Sequence, residues 1–398
     1  GPAAAPAAGP AAAPTAGPAA EFRGAWVATV DNIDFPSRPG LSSPELRREL
    51  DDIVARAVEL KLNALVFQVR PAADALYPSP LEPWSEWLTG EQGRAPDSGF
   101  DPLAHVIERC HAEGLQLHAW FNPFRCWHPA AKGEPHASHV TRRAPQLCVD
   151  YGPYRWMDPG DPIAAKWSLA VIQDVVRRYD VDGVHIDDYF YPYPEDKRPF
   201  PDDRSYGAYR RGGGSLARDD WRRQNIDRFV QRMYELVHAE KPWVMVGISP
   251  FGIARPGVPP GIRAGVDQYA ELYADVPKWL AEGWLDYLAP QLYWPIDQQA
   301  QSFPKLLAYW HSVNPRGRAI WFGLLTGRCL AAEAPARPDE LAQQIELVRA
   351  ADGAMPGHVH FSFRALRADD ALARNALRTR VYEERVPVPT LPWLGERR

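Results

Sequence analysis

The 398-residue sequence has few cysteines, no long hydrophobic run and no excess of basic residues. The four cysteines show neither a CxxC pair nor the spacing of a zinc site. No segment approaches the roughly 18 apolar residues that a membrane-spanning helix needs. The formal net charge is -5 and there is no run of basic residues, so the sequence shows no basic surface of the kind that binds nucleic acid.

The remaining composition is that of an ordinary globular protein with an ample core, because 45% of the residues are hydrophobic and only 24% are charged. The length suits one α/β barrel with long loops. Fifteen tryptophans and sixteen tyrosines are many, and a large share of them fall in predicted loops, where amphipathic rings suit ligand contact. Cys126 and Cys148 lie in one such loop region, so they either pair or remain buried thiols.

Residues 1–20 differ in composition from the rest of the chain, because they contain almost only Ala, Pro and Gly. Such a segment cannot bury enough side chain to offset its ordering entropy, so we expect a flexible linker. Linkers of this kind commonly follow a removed export signal or a lipid anchor. We therefore expect an exported protein, with a membrane tether preceding residue 1, and a single domain over residues 21–398 that includes the C-terminal tail.

Eight apolar runs suited to buried parallel strands recur along the chain. They are Gly24–Val30, Ala64–Val69, Leu115–Phe121, Gly183–Ile186, Val244–Ile248, Tyr287–Leu292, Ile320–Leu325 and His358–Phe363.

Helical patterns separate these runs, and several begin with a clear signal. Ser43-Pro44, Asp101-Pro102 and Asp161-Pro162 each place a capping side chain before a proline suited to the first helical turn. Further helices are predicted at about 218–240, 270–282, 300–312, 338–351 and 369–380. Eight strands alternating with eight helices predict a (β/α)8 TIM barrel with long βα loops. The alternative, an open doubly wound sheet, lacks the glycine-rich phosphate loop that it would need.

Function in such a barrel is carried at the carboxyl ends of the strands. Polar groups and aromatic rings converge on this rim, which is typical of a carbohydrate site, where rings stack on sugars and polar groups bind hydroxyls. Asp187 and Asp188, after the fourth strand, are the candidate catalytic residues. The candidate substrate-binding residues are Arg70, His118, Trp120, Asn122, His185, Tyr189, Ser249, Gln291, Tyr293 and Trp294.

Several segments carry a resemblance to a known family. They are FRGAWVATVDNIDFP, NALVFQVRPAADALY, LHAWFNPFR, GVHIDDYFYP, GISPFGIARPG, ELYADVPKWLAEGWLDYLAPQLYW and VPTLPWL. Together they resemble the bacterial glycosyl-hydrolase-like 10 family over about residues 21–398. The family includes a division-associated glycosidase that acts on peptidoglycan strands stripped of their peptides. The resemblance implies an exported, periplasmic barrel that cuts such glycans, with an outer-membrane lipoprotein as one form, and makes Asp187 and Asp188 its catalytic group.

The chemistry of the aspartate pair fits this implication. Most glycosidases need one carboxyl group that stays protonated and another that stays ionised. Two adjacent carboxylates favour this division, because each charge opposes the ionisation of the other. Our first assignment makes Asp188 the general acid and Asp187 the orienting, charge-stabilising partner, and the reverse assignment stays open.

The nucleophile is not evident, because the seventh strand ends at Leu325-Thr326 without a glutamate. A 2-acetamido sugar can attack its own anomeric carbon, and Tyr293 is placed to hold the acetamide. Strands of N-acetylglucosamine and N-acetylmuramic acid would suit this scheme. Otherwise a loop acid must serve, and the candidates are Asp31, Asp34, Asp267, Glu271 and Asp297.

Competing interpretations exist for most of these residues. His118 and His185 could simply pack inside the barrel, and Arg70 could form an internal salt bridge instead of binding a lactyl carboxylate. A metal-dependent polysaccharide deacetylase would use the same histidines and aspartates, but the sequence has no HxH after the first strand and no HxxEH pattern on a helix. A non-catalytic glycan-binding barrel is the other rival. We expect a monomer that needs neither metal nor cofactor.

Overall fold

The computed structural model describes residues 17–327, 338–367 and 377–397. Its strands are β1 (Phe22–Val27), β2 (Ala64–Arg70), β3 (Gln116–Phe121), β4 (Arg125–Trp127), β5 (Cys148–Tyr151), β6 (Tyr154–Met157), β7 (Gly183–Ile186), β8 (Met245–Ile248), β9 (Tyr287–Leu288), β10 (Ala319–Ile320), β11 (Phe322–Leu324) and β12 (Gly357–His360). Its helices are α1 (Ser43–Glu59), α2 (Glu86–Thr89), α3 (Pro102–Ala112), α4 (Val140–Arg143), α5 (Pro162–Arg178), α6 (Asp203–Arg211), α7 (Arg218–Glu240), α8 (Val276–Glu282), α9 (Phe303–Ser312), α10 (Pro338–Ala351) and α11 (Phe363–Arg367).

Nine of the strands form one parallel sheet in the order β10-β9-β8-β7-β3-β2-β1-β12-β11. β10 and β11 are halves of a single barrel strand, separated only by Trp321. One half pairs with β9 and the other with β12, so the sheet curves round into a ring. This confirms the predicted (β/α)8 barrel, and all eight predicted strands are present.

Local signals explain where the helices begin. Ser42 and Glu45 form a reciprocal capping box at the start of α1, one residue earlier than the predicted cap. The side chains of Asp101 and Asp161 cap α3 and α5 as predicted. The predicted helix 270–282 was wrong in its first half, because Asp275 occupies the N-cap position of α8. The predicted helix 369–380 lies largely outside the described residues.

Side chains alternate between the inside of the ring and the helical layer. Phe22, Tyr287 and Trp321 fill the interior, where Phe22 stacks on Trp321 with ring centroids 3.9 Å apart. Leu391 packs into the same interior cluster from the C-terminal tail, and Trp393 donates a hydrogen bond to Asp286. The amino-terminal end of the barrel is therefore covered, which leaves the opposite end for ligands.

The longest connection, between β3 and α5, carries structure that the sequence did not predict. β4, β6 and β5 form a three-stranded antiparallel sheet in that order, and α4 lies in the same connection. None of the helices in the described residues combines the length and the hydrophobicity of a membrane-spanning segment.

Candidate active site

A cavity of about 300 Å³ opens at the carboxyl ends of the barrel strands. This volume is at the lower end of the range for small-molecule sites. Seven of the twelve predicted site residues line it, and they come from β3 and from the segments after β7, β8 and β9. These are Trp120, Asp187, Asp188, Tyr189, Ser249, Gln291 and Tyr293.

His118 and His185 do not line the cavity, because they belong to the barrel interior below it. The Nδ1 atoms of both rings lie 2.9 Å from the hydroxyl group of Tyr287. Nε2 of His185 accepts a hydrogen bond from the indole of Trp26. Burial lowers the pKa of His118 to about 4 and moves that of His185 in the same direction. Their predicted contact with substrate is therefore not supported, and packing accounts for them.

Arg70 is also away from the cavity wall. Its guanidinium forms a two-point ion pair with Glu82, with Nε 2.7 Å from Oε2, and donates to the backbone oxygens of Asn122 and Pro123. Both members of the pair are buried. The hydrogen-bond donors of Arg70 are thus occupied inside the protein. Of the two interpretations of this residue, the internal salt bridge is the one that the structure supports, and the predicted contact with a lactyl carboxylate does not fit.

The last two predicted contacts are structural as well. Asn122 is fully buried, and its Oδ1 accepts a hydrogen bond from the backbone of Arg125. This contact turns the chain from β3 into the long connection. Trp294 packs edge-on against Phe251 and lies outside the cavity lining.

The aspartate pair lies where strand geometry predicts. Asp187 is two residues beyond His185, on the same side of β7, and therefore faces the inside of the ring. Its Oδ1 is buried and has no hydrogen-bond partner among the described residues. Asp188 differs, since it accepts a hydrogen bond from the hydroxyl group of Tyr193.

These surroundings separate the two acids electrostatically. Burial, reinforced by the neighbouring charge of Asp188, raises the pKa of Asp187 from 3.8 to about 7. Burial also raises the pKa of Asp188, but the hydrogen bond from Tyr193 and the nearby amide of Gln291 oppose that rise. Asp188 therefore ionises first, and near neutral pH the remaining proton lies on Asp187.

Two residues of the long connection, Arg125 and His128, also line the cavity, although neither is among the predicted catalytic and substrate-binding residues. Arg125 is buried, donates through Nε and Nη2 to the backbone oxygen of Pro71, and stacks over the ring of Tyr189 at 5.1 Å. Its positive charge opposes the rise in the pKa values of both aspartates. His128 has its pKa lowered to about 4 by burial, so it is neutral, and its Nδ1 accepts the amide hydrogen of Ala130. A neutral imidazole with that bond carries its proton on Nε2.

Trp26, Gln68 and Phe361 also line the cavity and were not predicted. The signal for Gln68 was present, since it shares the inward side of β2 with Ala64 and Val66. Its Oε1 accepts the backbone amides of Thr29 and Val30, each at 2.9 Å.

Asp187 and Asp188 are the carboxylic acids of this lining within the described part of the chain. The proposed loop acids do not reach it. Asp34, for example, accepts hydrogen bonds from the backbone of Ala28 and from Ser362 and Arg364. Asp267 pairs with Arg255, and the remaining candidates Asp31, Glu271 and Asp297 are absent from the lining. The described residues contain no group of three or more side chains suited to hold a metal ion.

Known proteins resemble this chain in fold. The glycoside hydrolase domain of PgaB (BpsB) from Bordetella bronchiseptica superposes with a TM-score of 0.60 at 14% identity, covering 90% of this chain and 99% of that one. An endo-β-1,4-mannanase from Thermotoga petrophila gives 0.57 at 11% identity, with 92% and 76% coverage. At such identities the likeness concerns the fold alone.

Sequence relatives are closer. Glycosyl hydrolase YngK of Bacillus subtilis (strain 168) is 38% identical over 382 residues, which cover 94% of this chain and 74% of the relative. Glycosyl hydrolase DigH of Escherichia coli (strain K12) is 34% identical over 322 residues, with 76% and 72% coverage. A family profile described as glycosyl hydrolase-like 10 matches residues 21–334. The chain belongs to the glycosyl hydrolase-like 10 family, and membership implies a carbohydrate substrate.

Proposed function

We propose that the protein is a glycosidase that hydrolyses the glycan backbone of peptidoglycan, in strands freed of their peptides. One observation carries the proposal: Asp187 and Asp188 share the wall of a cavity lined by aromatic rings, and their environments give them different affinities for a proton. Glycoside hydrolysis requires such an acid and such a carboxylate.

In the proposed mechanism Asp187 is the general acid. It keeps its proton near neutral pH and transfers it to the oxygen of the departing sugar. Asp188, ionised and held by Tyr193, stabilises the positive charge that develops at the anomeric carbon. This is the reverse of our first assignment, and the reason is that the hydrogen bonds favour the charged form of Asp188.

The attack on the anomeric carbon is assigned to the substrate. Within the described residues the cavity lining offers no third carboxylate, which favours attack by the oxygen of a 2-acetamido group. Tyr293 lines the cavity, stacks on Phe361 and remains the residue proposed to hold the acetamide. Both sugars of peptidoglycan carry this group, so they suit a cavity whose described lining contains two acids.

The charge of the cavity also suits peptidoglycan. Arg125 is the cationic side chain of the lining in the described part of the chain, because His128 is neutral. We assign the contact with the lactyl carboxylate of muramic acid to Arg125, whereas the sequence alone had suggested Arg70 for it. Such a substrate lies outside the cytoplasmic membrane, so the proposal includes export to the periplasm and allows a lipoprotein form.

Mass spectrometry of products tests the proposal directly. Purified peptidoglycan is incubated with the protein, with and without prior treatment by an amidase that removes the peptides. We expect soluble saccharides mainly after the amidase treatment. The same products should appear when the protein is given purified strands that already lack peptides. Binding to the strands without any product would overturn the proposal in favour of a glycan-binding barrel, and loss of acetyl groups without chain cleavage would indicate a deacetylase.

A further inference from the structure

Cys126 and Cys148 approach each other closely in the sheet that borders the cavity. Their Sγ atoms are 3.3 Å apart, and both are free thiols. Cys126 is on β4 and Cys148 begins β5, and both strands flank β6 in the three-stranded sheet. A disulfide requires the two sulfurs to approach from 3.3 Å to about 2.05 Å.

We propose that Cys126 and Cys148 form an intramolecular disulfide that fixes the wall of the cavity carrying Arg125 and His128. Cys126 lies on β4 between two residues that line the cavity, since Arg125 precedes it and His128 follows two residues later. The cross-link therefore joins the outer strands of the small sheet and restrains the segment that supplies both side chains. This inference is independent of the proposed function.

The reaction needs an oxidant, and we assign this role to a small-molecule or protein disulfide. The sulfur of Cys148, which is partly exposed while Cys126 is buried, attacks the oxidant and releases one of its thiols. The sulfur of Cys126 then displaces the second thiol, and its proton passes to that leaving group. Two S–H bonds and the S–S bond of the oxidant are broken, while one S–S bond and two thiols are formed. Two electrons pass from the protein to the oxidant.

The other described cysteine, Cys110, is the matched control. It is buried on α3, and burial raises the pKa of its thiol, so it is shielded from exchange. Trypsin would place Cys110, Cys126 and Cys148 in three different peptides, because Arg125 and Arg143 separate them. A cross-link between any two of them can thus be assigned without ambiguity.

The experiment is peptide mapping of the full chain after incubation with oxidised glutathione, alkylation of the remaining thiols and digestion without reductant. We expect one cross-linked pair, residues 126–132 joined to residues 144–155, and its absence in Cys148→Ser. Cys110→Ala should retain it. Full alkylation of both thiols, or a cross-link to another cysteine, would overturn the proposal.

The effect on the sheet has a separate readout. Closing the loop between the cysteines limits the unfolded chain, so oxidation should raise Tm by on the order of a few degrees in the wild-type protein and not in Cys148→Ser. Amide hydrogen exchange in residues 125–127 and 148–157 should slow on oxidation and recover with dithiothreitol. A cross-linked protein with unchanged exchange in these strands would contradict the restraint.

Discussion

The hydroxyl group of Tyr193 donates a hydrogen bond to the carboxyl group of Asp188, five residues earlier in the chain. The Oδ1 atom of Asp187 has no hydrogen-bond partner within the described residues. A hydrogen bond to a charged group stabilises it by about 1.5–3 kcal/mol, so this contact favours the charged form of Asp188. The proposed roles of general acid and charged partner follow from that difference.

The roles can be separated with leaving groups. Asp187→Asn should slow cleavage of peptide-free glycan strands by about 10²–10⁴-fold, because proton donation is lost. On an aryl glycoside of N-acetylglucosamine, whose phenolate leaves without a proton, the same variant should retain most of its rate. Asp188→Asn should lose activity on both substrates. Initial rates on the two substrates provide the measurement.

Asp267→Asn is a suitable control, since that acid lies outside the cavity lining and pairs with Arg255. It should leave both rates unchanged. The opposite pattern, with the aryl glycoside rate retained in Asp188→Asn and lost in Asp187→Asn, would exchange the two roles.

The pH dependence of kcat/KM follows from the same pair. The rate should fall as pH rises through about 7, where Asp187 loses the proton that it must donate. It should also fall at low pH, where Asp188 becomes protonated. Tyr193→Phe removes the hydrogen bond that favours the charged form of Asp188. The acidic limb should then move upward by about one pH unit while the basic limb moves little.

A profile in which Tyr193→Phe shifts only the basic limb would contradict this reading of the pair. Tyr206→Phe serves as the control, because Tyr206 donates to the backbone of Leu216 away from the cavity.

Much of the barrel was predictable because its strands are short apolar runs and its helices begin with strong caps such as Asp101 and Asp161. Strand parity also placed Asp187 on the inner side of β7 once His185 faced inward. The alternation of side chains along a strand does not, however, show how far along the barrel axis a side chain lies. His118 lies on the same side of β3 as Trp120, but only Trp120 is far enough along the strand to reach the cavity.

The remaining part of the site depends on contacts between distant segments. Arg125 reaches the cavity through an antiparallel sheet whose strands are only three or four residues long, too short for a periodic pattern. Arg70 was predicted to bind substrate because its true partner could not be identified from the sequence. That partner, Glu82, lies twelve residues away in an irregular segment. No local pattern connects such pairs, so the structure was needed to identify them.

The ion pair of Arg70 and Glu82 leads to a prediction about stability. Arg70→Met leaves Glu82 buried without its partner, which should lower the free energy of unfolding by about 3–5 kcal/mol. KM for glycan strands should remain close to the wild-type value in the fraction that stays folded. Urea denaturation and initial-rate kinetics measure the two effects.

Glu82→Gln tests the same pair from the other side and should also destabilise the protein without raising KM. A large rise in KM for Arg70→Met with little loss of stability would restore Arg70 as a substrate contact.

The raised pKa of Asp187 also makes stability depend on pH. In the unfolded chain this acid releases its proton near pH 4, whereas in the folded protein it holds the proton up to about pH 7. Between these values the folded state binds more protons than the unfolded state, so the contribution of Asp187 to stability declines as pH rises. Asp187→Asn has no charge to bury. It should exceed the wild-type protein in unfolding free energy by on the order of 2–4 kcal/mol at pH 8, and match it at pH 4.

Urea denaturation of both proteins at intervals from pH 4 to pH 8 measures this difference. Asp267→Asn, an acid outside the cavity, should instead follow the wild-type curve in parallel over the whole range. If Asp187→Asn also ran parallel to the wild-type protein, Asp187 would be ionised throughout and could not be the proton donor. The loss of activity and the gain of stability in one variant would thus have a single cause, the cost of ionising a carboxyl group that is buried beside Asp188.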